Sequence, residues 1–81
     1  MSGGKETDIA REAEALEREM AAVAEKKTAA EKRVRELMAA EAPRAGVSYA
    51  QEIFTAQQEK LTLATQHEVL RRRRNRLLME R

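Results

Sequence analysis

Residues 42–51 read Ala42-Pro43-Arg44-Ala45-Gly46-Val47-Ser48-Tyr49-Ala50-Gln51, and they hold the only proline of the chain and its only glycine beyond position 4. Proline disfavours helical geometry at the residue before it, so a helix running into this stretch ends near Ala42. Ser48 followed three residues later by Gln51 fits a capping box, in which each side chain accepts from or reaches back to the other's backbone amide. A second helix is therefore expected from about residue 49. This is the sole break in the chain.

Before the break the apolar residues step by four and three: Ile9, Ala13, Leu16, Met20, Val23, then Lys27, Ala30, Val34 and Leu37. Eight of these nine positions are apolar, the spacing of a coiled-coil seam. Thr7 or Asp8 is placed to cap the start, and Asp8 and Glu12 fall near the positive end of the helix dipole. Lys27 interrupts the seam, either to fix register or, more simply, with its stem along the seam and its ammonium in solvent. The expected organisation is a flexible lead over 1–5, then one helical unit over 6–81. Within it, the first helix covers about 7–41, the turn 42–47 and the second helix about 49–80.

The second helix is harder to read. Ile53 and Phe54, Leu61 and Leu63, Val69 and Leu70, and Leu77 and Leu78 recur every seven to nine residues, with Gln57, Lys60, His67 and Arg74 between them. This stripe is expected to drift around the helix, as happens when a helix meets more than one neighbour.

Two helices of nearly equal length, each roughly 50 Å at about 1.5 Å per residue, joined by a short turn, are antiparallel neighbours. Residues whose numbers sum to about 90 then face each other. The charges favour the same arrangement. Residues 6–19 carry Glu6, Asp8, Glu12, Glu14, Glu17 and Glu19 against Arg11 and Arg18, while residues 71–81 carry Arg71, Arg72, Arg73, Arg74, Arg76 and Arg81 against Glu80. Folding back sets the acidic segment beside the basic one. The fold class read from sequence is all-α: an antiparallel two-helix coiled-coil hairpin that completes a helical bundle with itself or a partner.

Composition agrees. Charged residues make up 37% of the 81 and hydrophobic ones 42%, with one Phe, one Tyr and no Trp, a long-helix profile rather than that of a globular core. A net charge of +2 and regular apolar spacing set it apart from a disordered chain. There is no cysteine for disulfides or thiolate metal sites. The single His67 lacks companions at ligand spacing, so no metal or cofactor is expected. No apolar run is long enough to span a bilayer. The opening residues MSGGKETD are not read as a secretory signal, and the expected compartment is the cytoplasm.

Scattered helix-surface glutamates and a fold without a concave pocket argue against catalysis and against a small-molecule substrate. One seam buries its side chains only partly, so a lone hairpin is short of buried surface and a partner is expected. The hairpin seam is assigned to Ile9, Leu16, Met20, Val23, Val34, Leu37 and Ile53. Partner binding is assigned to Phe54, Leu61, Leu63, Leu70, Leu77 and Leu78, which cannot all face one neighbour, together with Arg71, Arg72, Arg73, Arg74 and Arg76. Off-seam alanines (Ala15, Ala22 and Ala29 at steps of seven, and separately Ala10 and Ala24) and Met38 either form a second contact strip or, for the alanines, simply favour helix.

The arginine run has three readings: pairing with Glu14, Glu17 and Glu19, docking on an acidic protein surface, or binding nucleic acid. Consecutive arginines spread around a helix rather than forming one face, and no aromatic lies among them to stack on bases. The functional expectation is a protein–protein interaction module, a small subunit, adaptor or chaperone in a larger helical assembly. The alternative is a homodimeric four-helix bundle binding RNA or DNA through the C-terminal arginines. A nuclear location follows only if the arginine run is an import signal.

Overall fold

The computed structural model describes residues 2–42 and 46–79, and it is the expected all-α helical hairpin. Helix α1 runs Ser2–Ala40 and α2 runs Ala50–Met79. The two pack along each other in a rod of 70 × 14 × 12 Å with a radius of gyration of 19.0 Å. A compact chain of this length would have a radius near 12 Å. The elongation follows from having one seam and no third layer.

α1 begins at Ser2, earlier than expected, because extending an existing helix costs far less than nucleating one. Thr7 and Asp8 are consequently inside the helix and do not cap it, and the first turn holds no acidic residue. The seam expected from sequence faces inward: Ala13, Leu16, Met20 and Ala30 are buried, and Ile9, Val23, Lys27, Val34 and Leu37 are half-buried. Lys27 keeps part of its side chain in solvent, as its long stem allows.

α1 closes with the Glu41 amide donating to the Met38 carbonyl at 3.4 Å, a tightened last turn. Ala42 and Val47 then exchange backbone hydrogen bonds of 3.1 and 3.0 Å, pinching the connection shut. Gly46 sits at φ +73°, where a side chain would strain the backbone even though a Cβ would touch nothing within 4 Å. Residues 43–45, the centre of the expected turn, lie outside the described residues.

The start of α2 differs from the expected capping box. The Ser48 hydroxyl accepts from the Ala50 amide at 3.4 Å and donates to Glu41 Oε2 at 3.5 Å; the same carboxylate oxygen accepts from the Tyr49 amide at 3.3 Å. A negative group at the positive end of α2 thus comes from the end of α1, across the closed loop. Glu41, not Gln51, completes the cap.

The expected drift of the α2 stripe is not observed. Ile53, Ala56, Lys60, Leu63, His67, Leu70, Arg74 and Leu77 hold one register at steps of three and four, and all are buried or half-buried. Three of the eight, Lys60, His67 and Arg74, are polar, with long or ring-shaped stems whose carbon can cover the seam. Ala56, only 2% exposed, is the most buried residue of the molecule among those described. The cross-helix pair Glu17–Arg74 lies within one residue of the expected register.

Candidate protein-interaction surfaces

With the seam filled, the large apolar side chains that stand at least half exposed among the described residues are Met38, Phe54, Leu61, Val69 and Met79. Their places follow from the seam register. Phe54 and Leu61 each come one residue after a seam position, Ile53 and Lys60, and Met38 comes one after Leu37. In an antiparallel pair these offsets fall on the same flank, because the residues following the seam on one helix face those following it on the other. Phe54 and Leu61, 59% and 58% exposed and seven residues apart, form a ridge along α2, with Met38 across the hairpin near Phe54.

Val69 belongs to the opposite flank. There an open groove of about 470 Å³ runs between the helices, with Val23 and Leu70 along its floor and Ala22, Val69, Glu19 and Arg73 on its walls. Val69 is 50% exposed and stands level with Ala22 across the groove.

The residues assigned to partner binding from sequence therefore divide. Phe54 and Leu61 are on the surface. Leu63, at 7% exposure, is a seam residue and is corrected to the hairpin core. Leu70 and Leu77 occupy seam positions and Leu78 sits beside them, all half-buried. The apolar pattern alone could not sort these leucines, because polar residues at three seam positions hide the register. Spacing from Ile53 and Ala56 carries the signal that finds it.

The arginine run divides too. Arg71 donates to Glu68 through Nε at 3.0 Å and through an amino nitrogen at 2.8 Å, and Arg72 Nε reaches the same carboxylate at 3.1 Å. These hydrogen bonds, Arg71's foremost, hold the Glu68 carboxyl at about 2, below its ordinary 4.5, and raise Arg71 in turn. Arg74 is half-buried, with its guanidinium 3.8 Å from Glu17 and hydrogen-bonded to Asn75 Oδ1. Arg73 walls the groove, and Arg76 is exposed in the last turn, where it suits the negative end of the α2 dipole. Of the three glutamates expected to meet the run, Glu17 alone does so among the described residues. Arg71 and Arg72 turn instead to Glu68 on their own helix, which holds them within reach at three and four residues. Arg81 lies outside the described residues.

No group of three or more potential metal-ligating side chains comes together among the described residues, and none of their helices is long and apolar enough to cross a membrane. No protein-family model matches the chain, and neither do any curated protein or solved structure.

Proposed function

We propose that the chain is a protein-interaction module, a small cytoplasmic subunit, adaptor or chaperone that contributes two helices to a larger helical assembly. The observation that carries this reading is the ridge of Phe54 and Leu61 with Met38 on one flank of the hairpin. Large apolar side chains grouped on one exposed flank are costly to leave in water and mark interaction sites. Two large side chains seven residues apart on one helix are the anchors by which an amphipathic partner helix is recognised. The partner class this fits is a helix with an apolar stripe, lying along α2.

The accessible surface points the same way. The hairpin exposes 6382 Å². A compact monomer of the same mass would expose about 4,900 Å². The test is affinity capture with the full chain and with the Phe54→Asp/Leu61→Asp variant, helix content being checked by circular dichroism. A partner recovered by the first and lost by the second supports the reading. Equal recovery by both, with both folded, overturns it.

A further inference from the structure

The groove flank of α1 carries Glu12, Glu19, Lys26 and Arg33 at steps of seven, interleaved with Ala15, Ala22 and Ala29. Among the described residues none of these four charged side chains has an ion-pair partner, whereas Glu17 on the other flank has one. Their order is two acids, then two bases, with Ala22 at the centre. Read from the opposite end, the same row is two bases, then two acids.

A row with that symmetry is complementary to itself when reversed. We propose that the groove is occupied by a second copy of this chain, packed antiparallel through α1 with the two-fold axis at Ala22. In this arrangement Glu19 meets the second copy's Lys26 and Glu12 meets its Arg33, each contact occurring twice by symmetry. Ala15 faces Ala29, and Ala22 faces its own copy. On the outer edge Arg18 meets Glu25, and like charges meet only towards the two ends of the contact, Arg11 with Lys32 and Asp8 with Glu36. Val69, level with Ala22, adds its exposed side chain at the axis, so that the centre of the interface is apolar and its rim charged. The alanines let the two α1 axes approach to about 8 Å, the close end of helix packing.

The Phe54 flank is disfavoured by the same charges, and a parallel copy, which sets Glu19 beside Arg18 and Ala15 on Ala15, is told apart by crosslinking. An antiparallel copy on the Phe54 flank, centred on Ala24, brings Glu17 against Glu31. Area is sufficient: the hairpin exposes roughly 1,400 Å² more than a compact chain of its mass, and a standard interface buries about 800 Å² per partner. The second copy uses the flank opposite Phe54 and Leu61, so this proposal goes beyond the partner-binding reading and stands or falls separately from it.

The test is sedimentation equilibrium of the full chain over a wide concentration range, with circular dichroism on the same samples. A dimer is expected. Glu19→Lys should weaken its dissociation constant roughly ten-fold or more, because like charges then meet at two symmetric places. Adding Lys26→Glu to that variant should restore it. The chain has no native cysteine, so orientation is read by oxidative crosslinking. Ala22→Cys should crosslink to itself, and Ala15→Cys should not do so alone but should crosslink to Ala29→Cys. If Glu19→Lys unfolds the hairpin, the crosslinking pattern decides. A monomer at every concentration, a dimer indifferent to the charge changes, or self-crosslinking through Ala15→Cys overturns the proposal. A monomer that still captures a partner through Phe54 and Leu61 overturns it while leaving the partner-binding reading in place.

Discussion

The two helices distribute the same kinds of residue in opposite ways. α1 puts its large apolar side chains into the seam and leaves mostly alanine and charge outside; among the described residues Met38 is its only large apolar residue left half exposed. α2 places Lys60, His67 and Arg74 in the seam and carries Phe54, Leu61 and Val69 on its surface. A helix that only had to hold a hairpin would exchange these sets, since apolar burial is what stabilises the pair. The contrast assigns the hairpin's cohesion to α1 and to the leucines of α2, and assigns the outer residues of α2 to another surface.

That division is open to direct attack, beginning where the effect is largest. Leu63→Ala should cost about 2–4 kcal/mol in urea or thermal unfolding, as expected for a truncated core leucine. Leu61→Ala, two residues away but on the surface, should change stability by no more than about 0.5 kcal/mol. Similar losses at both positions would erase the distinction between seam and ridge. Next in size, Lys60→Leu should stabilise the hairpin by about 1 kcal/mol, because it replaces a polar seam residue with an apolar one. A fall in the thermal midpoint would mean that Lys60 does not occupy the seam.

The smallest effect concerns Glu68. Its carboxyl is held at about 2, chiefly by the Arg71 hydrogen bond, below an ordinary 4.5. A group whose folded value is lowered adds stability that is full above the ordinary value and is lost as the pH falls from about 4.5 towards 2. Because the pair is exposed, the change in stability is slight and the titration itself is the readout. Carboxyl chemical shifts of Glu68 should titrate near 2 in the native chain and move up towards 4.5 in Arg71→Gln/Arg72→Gln. An unchanged midpoint in that variant would show that the two arginines are not its partners.

The sequence made α1, the break and the antiparallel register legible because each rests on local rules: apolar spacing, a proline, and charge segregation at the two ends. Less of α2 could be read. Its seam is defined by position rather than by polarity, so Leu63 looked equivalent to Leu61 until the facing helix fixed which side was inward. The cap was hidden for a different reason. Ser48 and Gln51 are neighbours in sequence, but Glu41 reaches Tyr49 only after Ala42 and Val47 have closed the loop, a contact no local pattern encodes. Of the proposed interaction surface, Phe54 and Leu61 are visible in the sequence as apolar residues outside a single stripe. Their separation from Val69 onto opposite flanks needed the register of the pair.

The most direct test of the account is the thermal unfolding of Phe54→Asp/Leu61→Asp, followed by circular dichroism on the isolated chain. If these side chains serve a partner and not the hairpin, the variant keeps the helix content of the parent and a midpoint within a few degrees of it. Loss of helix at room temperature would place Phe54 and Leu61 among the residues that hold the hairpin together, and would contradict the division between the two helices.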